Sequence, residues 1–81
     1  MRKITTKDIE TALNKKAPGR SYFMDVKIIA VDFDKKVASF ECTRVTPNDD
    51  EWFAAPYLDY YTMDANFGGT EIHFFNYQKV W

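Results

Sequence analysis

The sequence has few of the residues on which disulfide frameworks, zinc sites and phosphate-binding loops depend. Among its 81 residues there is one cysteine, Cys42, and one histidine, His73. One cysteine cannot form an intrachain disulfide, and one cysteine with one histidine supplies too few soft ligands for zinc. The Gly68-Gly69 pair is not followed by Lys-Ser or Lys-Thr, as a phosphate-binding loop requires. The sequence therefore predicts neither a cofactor nor a metal site.

Long apolar segments are also missing from the sequence. The longest runs, such as Ile28 to Val31, are far shorter than the roughly 20 residues that a membrane-spanning helix needs. Polar Thr5 to Asp8 follow Arg2 and Lys3, where a secretory signal would have an apolar stretch. A lone thiol is typical of a protein in a reducing compartment. We therefore expect a cytoplasmic protein that does not interact with membranes.

No set of residues in the sequence indicates catalysis. Nucleophilic catalysis needs an activated nucleophile, a base and an orienting group. The candidates are Cys42, His73 and an acid such as Asp59. Cys42 lies on the apolar side of a predicted strand together with Phe40, where a cysteine usually serves as a small hydrophobic residue. The sequence therefore predicts that the protein is not an enzyme.

The segment Ile4–Lys16 has the pattern of an amphipathic helix. A threonine at position 5 or 6 can cap its first turn, and Asp8 near the start and two lysines near the end suit the helix dipole. The Pro18-Gly19 pair ends the helix. The apolar stripe is narrow, so we expect the helix to lie on a sheet with most of its surface in water. The stripe consists of Ile9, Ala12 and Leu13.

Alternating apolar and polar residues predict four strands after the helix. The predicted strands are Tyr22–Phe33, Val37–Thr46, Tyr57–Met63 and Thr70–Trp81. The apolar phase of the first strand changes at Ile29, which indicates a bulge or a centre buried on both faces. Strict alternation in the last strand divides its side chains into two sets. One set is Ile72, Phe74, Asn76, Gln78 and Val80, and the other is His73, Phe75, Tyr77, Lys79 and Trp81.

Short connections between these strands predict the topology. The predicted turns and loops are Asp34–Lys36, Pro47–Asp50 and Asp64–Gly69, while Glu51–Ala55 fits either a strand or one helical turn. Consecutive strands with short turns usually pair in order. We therefore predict a single α+β domain over residues 1–81, with the N-terminal helix packed on a four-stranded antiparallel β-meander. The alternative is a small, strongly curled β-barrel with one helix.

Aromatic and acidic residues are concentrated in the C-terminal part of the chain. Ten of the 14 aromatic residues lie between Glu51 and Trp81. Residues 1–44 include ten basic and six acidic residues, whereas residues 45–81 include one basic residue, Lys79, and six acidic ones. Because a domain of this size buries only roughly 60–65% of its unfolded surface, we expect some of these rings to face solvent or a partner.

The segment from Asp49 to Asp64 is the predicted partner-binding site. Tyrosine and tryptophan are enriched at interface hot spots, and the interleaved acids suit a partner protein with a basic surface. The alternative is that these rings belong to the core and the acids keep the domain soluble. The candidate residues are Asp49, Asp50, Glu51, Trp52, Tyr57, Asp59, Tyr60, Tyr61 and Asp64.

These observations favour a small non-enzymatic protein-binding domain. Its size and lack of catalytic residues are typical of inhibitors that phages and mobile elements encode, such as anti-defence proteins. Such an inhibitor would block a larger defence or nucleic-acid-processing protein in the host cytoplasm. One alternative is a single-stranded nucleic-acid-binding module, although Phe23, Phe33 and Phe40 fit a core better than a stacking platform. Another is a self-associating structural protein whose aromatic last strand pairs across a homodimer interface.

Overall fold

The computed structural model describes residues 4–17, 19–47 and 55–80. Its elements are α1 Thr6–Lys16, β1 Tyr22–Asp32, β2 Val37–Thr46, β3 Tyr57–Asn66 and β4 His73–Lys79. The strands form one antiparallel sheet in the order β1-β2-β3-β4, and α1 packs on one face of it. This confirms the predicted helix on a β-meander. Because β1 and β4 are the two edges of the sheet, the sheet is open and the barrel alternative is wrong.

A capping box starts α1 at the predicted place. The Asp8 N–H donates to Thr5 Oγ1 at 3.2 Å, and the Thr5 N–H donates to Asp8 Oδ2 at 3.1 Å. These reciprocal bonds satisfy two of the backbone donors that a helix leaves unpaired at its N-terminus. The predicted stripe then faces the sheet, with Ile9 and Leu13 buried and Ala12 half-buried.

The core lies between α1 and the sheet. Phe40, at the centre of β2, is fully buried, and its ring meets that of Phe74 edge to face at 5.9 Å and 74°. Lys16, the last residue of α1, ties the C-terminal end of the helix to the sheet. Its Nζ donates to the carbonyl of Ile72 at 3.2 Å and lies 5.6 Å from the Phe74 ring centre. The buried apolar cluster consists of Ile4, Ile9, Leu13, Ala38, Phe40, Cys42, Met63, Ala65, Phe67 and Ile72.

The strand bounds differ from the predicted ones at four places, three of them in β3 and β4. β3 continues past Met63 to Asn66, so the first part of the predicted 64–69 loop is strand. The reason is tertiary, because Ala65 pairs with Ala38 and is fully buried against the helix side of the sheet. β4 begins at His73 instead of position 70 and ends at position 79.

The first hairpin turns one residue earlier than predicted. β1 ends at Asp32, whose Oδ1 accepts the N–H groups of Asp34 and Lys35 at 3.0 and 3.1 Å. This local pairing replaces strand hydrogen bonds, as aspartate commonly does at turns. Phe33 therefore lies in the turn and is exposed, and the prediction that it belongs to the core is wrong.

Bulges interrupt both edge strands. The register of β1 against β2 shifts between Met24 and Lys27 and again between Ile28 and Ala30, which confirms the predicted bulge at position 29. The register of β4 against β3 shifts opposite Met63, at Asn76-Tyr77, where Asn76 has φ 57°. This second site was not predicted, and it changes the faces of the last strand. Phe74 and Lys79 share the helix side, whereas Phe75 and Gln78 share the opposite side.

The edge of β1 is capped by the helix. The Asn14 Nδ2 donates to the carbonyl of Phe23 at 3.3 Å, and the Phe23 N–H donates to Asn14 Oδ1 at 2.7 Å. In an antiparallel pair, every second residue directs its backbone groups away from its neighbour. Asn14 forms hydrogen bonds with the outward N–H and carbonyl of Phe23. Without these bonds, the two groups would be free to pair with another strand.

The edge of β4 has a similar cap. The Val80 N–H donates to the carbonyl of Tyr60 at 2.7 Å, which shows that even-numbered β3 residues bond to β4. Phe74 pairs with Ala65, so its carbonyl points outward from the sheet. The Tyr77 hydroxyl donates to this carbonyl at 3.3 Å. Both edges of the sheet therefore carry a side chain that shields part of the backbone.

The buried and the exposed phenylalanine give a matched test of the core. Phe40→Ala should lower the free energy of unfolding by about 3–5 kcal/mol, because it removes a ring from a fully enclosed position. Such a loss is comparable to the whole stability of a small domain. Phe33→Ala should change it by less than about 0.5 kcal/mol. Urea unfolding followed by circular dichroism measures both, and equal losses for the two variants would contradict the core assignment.

The amide cap on β1 gives a second test. Asn14→Ala should lower the free energy of unfolding by about 1 kcal/mol, since two exposed hydrogen bonds to the strand edge are lost and alanine itself favours the helix. Lys15→Ala on the same helix is the matched control and should leave stability within about 0.5 kcal/mol. Thermal unfolding of both variants measures the change in unfolding free energy. An Asn14→Ala variant that is more stable than wild type would show that the cap contributes nothing.

Candidate protein-interaction surface

The structure describes five of the nine predicted partner-binding residues. Asp49, Asp50, Glu51 and Trp52 lie outside the described residues. The other five lie on β3, and they are Tyr57, Asp59, Tyr60, Tyr61 and Asp64. Their role in partner binding stays a prediction, and their positions show which of them can act together.

Alternation along β3 divides these five residues between the two faces of the sheet. Residues directly opposite each other on paired strands share a face. Tyr61 pairs with Cys42 and is half-buried against the core, so it lies on the helix side with Tyr57 and Asp59. Tyr60 and Asp64 lie on the opposite side, which we call the outer face. The described part of the 49–64 segment is therefore not one continuous surface.

Asp59 is engaged within the sheet. Its Oδ1 forms an ion pair with Lys79 Nζ at 3.1 Å, across the β3–β4 pair. Both side chains retain solvent contact, so the pair contributes at most about 1 kcal/mol. An acid that already faces a lysine is also less available to a basic partner.

One end of the outer face is apolar. Two neighbouring cross-strand rows meet there, one formed by Tyr22, Val45 and Leu58 and the next by Met24, Thr43 and Tyr60. The central β2 residues of both rows are buried. The four flanking side chains are between 37% and 48% exposed. We call these four, Tyr22, Met24, Leu58 and Tyr60, the apolar end.

The remainder of the outer face is acidic, with Phe75 as an exposed apolar residue among its polar groups. The register places one basic residue there, Lys27, against three acidic ones, Asp32, Glu41 and Asp64. Lys27 lies opposite Glu41, and no described residue pairs with the other two acids as an ion pair. The formal charge of this face over the described strands is therefore −2, from one positive and three negative groups.

Asp64 is held in place on this face by two neighbouring strands. Ser39 Oγ donates to its Oδ1 at 2.7 Å, and Asn76 Nδ2 donates to its Oδ2 at 2.8 Å. Each carboxylate oxygen has a second lone pair beyond these bonds. The arrangement fixes the orientation of a part-buried carboxylate before any partner arrives.

Sequence reasoning missed Tyr22, Met24 and Leu58 as surface residues. Alternation puts Tyr22 and Met24 on one face of their strand and Leu58 on the same face of β3 as Tyr60, but it does not show which face is exposed. A signal was present, because both faces of these strands carry large apolar side chains. Within the described residues, the position of α1 decides which of the two faces is covered.

The lone cysteine is a core residue. Cys42 is buried on the helix side with Phe40, as predicted. Burial raises the pKa of its thiol from the ordinary 9.0 to about 11, because desolvation disfavours the thiolate. His73 is exposed at the start of β4. Within the described residues, no group of three or more His, Cys, Asp or Glu is placed to hold a metal ion.

Comparison with known proteins gives no further guidance. No protein-family model matches the chain, and no curated protein or solved structure matches it. None of the helical segments in residues 4–17, 19–47 and 55–80 has the length and apolarity needed to cross a membrane. A functional assignment therefore depends on the geometry of the surface.

The shifted thiol predicts a pH-dependent contribution to stability. The folded state holds the Cys42 proton more tightly than the unfolded chain, so the contribution is fully present below about pH 9 and is lost as the pH rises from about 9 to about 11. The difference in unfolding free energy between wild type and Cys42→Ala should therefore shrink over this window. Urea unfolding at several alkaline pH values measures it, and a constant difference would contradict the prediction.

Proposed function

We propose that the protein is a non-enzymatic protein-binding domain that recognises its partner through the outer face of the sheet. The observation that carries the proposal is the apolar end, where one pair of large side chains on β1 and one on β3 remain exposed on either side of the buried Val45 and Thr43. Apolar groups in such a cluster lose contact with water when a partner covers them, which favours association. Tyrosine adds rigid area at low entropic cost.

The architecture favours the face over the edges as the binding surface. Strand addition needs a row of free backbone groups, and here Asn14 and Tyr77 occupy outward groups on the two edges. Bulges at Asp25-Val26, Ile29 and Asn76 further disrupt the regular spacing that another strand would need. The same features argue against a homodimer formed by pairing of the last strand.

The charge of the outer face favours a basic protein as partner. Three acids against one lysine repel phosphate groups, although Tyr22, Tyr60 and Phe75 are exposed in a way that could stack bases. The same charge disfavours a second copy of this chain, because two −2 faces would meet. A protein with basic groups around an apolar contact is complementary to both properties.

The mode of action that follows is occupation of a partner's surface. A small domain that binds a larger protein without catalysing a reaction acts by covering a site that the larger protein needs. Inhibition of a defence or nucleic-acid-processing protein in a host cytoplasm, with a phage or mobile-element origin, remains our proposal for the biological setting. It is supported by the size of the chain and by the acidic, apolar surface.

A capture experiment with face-specific variants tests the proposal. The immobilised chain is incubated with a lysate of the cells in which the protein is naturally produced. Bound proteins are then identified by mass spectrometry. Tyr60→Ala and Leu58→Ser, both on the outer face, should each reduce recovery of the specific partner at least tenfold. Tyr57→Ala, on the same strand but the helix side, is the matched control and should leave recovery unchanged.

Two results would overturn the proposal. One is partner recovery that depends on Tyr57 and not on Tyr60 or Leu58, which would return the site to the helix side of β3. The other is tight, salt-sensitive binding of fluorescent single-stranded DNA or RNA by the purified chain, which would assign the face to nucleic acid. Circular dichroism of each variant confirms that a loss of binding is not a loss of folding.

A further inference from the structure

A trough crosses the outer face at the level where both edge strands are bulged. In the centre of the sheet, Phe40 pairs with Met63. The Ile29 bulge of β1 lies next to Phe40, and the Asn76-Tyr77 bulge of β4 lies opposite Met63. Bulges bend a strand and increase its local twist. Two of them in one cross-strand row shape an open depression of about 580 Å³ with lining residues from all four strands.

The floor of the trough is polar and contains a fixed carboxylate. Asp64 lines it together with Ser39 and Asn76, the two side chains that donate to its oxygens at 2.7 and 2.8 Å. No described residue forms an ion pair with Asp64. Its remaining lone pairs are therefore placed to accept hydrogen bonds from a cation that enters from solvent.

The walls of the trough are apolar and come from opposite edges of the sheet. Ile29 and Tyr77 are 58% and 61% exposed. The Tyr77 hydroxyl is tied to the carbonyl of Phe74, which restricts the position of the ring. An aromatic ring beside a carboxylate is suited to a guanidinium group. The plane of the guanidinium stacks on the ring, and the N–H groups at its edge donate hydrogen bonds to the carboxylate oxygens.

We propose that this trough receives an arginine side chain of the partner protein, with Asp64 as its counter-ion and Tyr77 as its stacking surface. This inference rests on the proposed function and names the chemistry that the outer face selects. Asp64 lies four residues along β3 from Tyr60 of the apolar end, which corresponds to about 13 Å. The partner would therefore present an apolar anchor and an arginine about 13 Å apart.

Arginine fits the trough better than lysine for geometric reasons. Each carboxylate oxygen already accepts one hydrogen bond, so a donor group binds most strongly when it uses the remaining lone pair of both oxygens at once. The planar fork of a guanidinium does so with parallel N–H groups, whereas an ammonium is a point charge with stronger hydration. The flat ring of Tyr77 also suits the weakly hydrated guanidinium plane.

The test uses small probes and does not need the partner. The ¹⁵N-labelled protein is titrated with N-acetyl-arginine methylamide and, separately, with the citrulline and lysine analogues, while amide shifts are recorded by NMR. Citrulline has nearly the same shape as arginine without the charge. The arginine probe should shift the amides of Ser39, Asp64, Asn76 and Gln78 saturably, with a dissociation constant on the order of 1–10 mM. The two other probes should bind at least fivefold more weakly.

Variants then assign the contacts. Asp64→Asn should weaken the arginine response at least fivefold, and Tyr77→Leu should weaken it about threefold. Glu10→Gln, which removes an exposed acid of α1 on the other side of the sheet, should leave it unchanged. Equal shifts from arginine and citrulline in the wild-type protein, or from arginine and lysine, would overturn the inference without reference to any variant. Because this result needs no partner, it is distinguishable from a failure of the capture experiment at the apolar end.

Discussion

The packing of α1 on one face of the sheet determines how the rest of the surface is used. An 11-residue helix can cover one face of a four-stranded sheet but not both. Ile9 and Leu13 of its apolar stripe form one buried cluster with the side chains that β2 and β3 direct toward the helix. The large apolar side chains on the other face, such as Leu58 and Tyr60, are left without a counterpart among the described residues, and it is there that we place recognition.

The same helix also contacts both edge strands of the sheet. The helix contacts β1 through Asn14 and β4 through Lys16, whose Nζ lies 5.6 Å from the Phe74 ring centre. One short element therefore both covers the core and contacts two strands that have a neighbour on one side only. The bulges have a second effect besides disrupting strand addition. Because Ile29 and Asn76 lie in one cross-strand row, they bend the sheet around Asp64 and turn a flat face into a trough.

Much of the fold could be predicted because its signals are local. The threonine cap with Asp8, the alternation of β2 and the phase change at Ile29 each depend on residues close in sequence. The error at the end of β3 arose because tertiary contacts overrode local preference. Asp64 and Asn66 look like loop residues, yet they belong to β3 because Ala65 between them is buried and Ser39 and Asn76 satisfy the carboxylate. The bulge that reverses the faces of β4 has no comparable sequence signal.

The sequence by itself determined the class of the protein: a helix followed by a meander, a lone cysteine in the core, and a surplus of aromatic and acidic side chains beyond what a small core can hold. It did so because periodicity, capping and composition are properties of short segments. Only the tertiary structure decided which of those side chains stand together. Alternation sends Tyr61 to the core and Tyr60 to the outer face, and cross-strand pairing joins Tyr60 to Met24 from a distant part of the chain. A binding surface is a property of neighbours in space, and register and helix placement alone fix those neighbours.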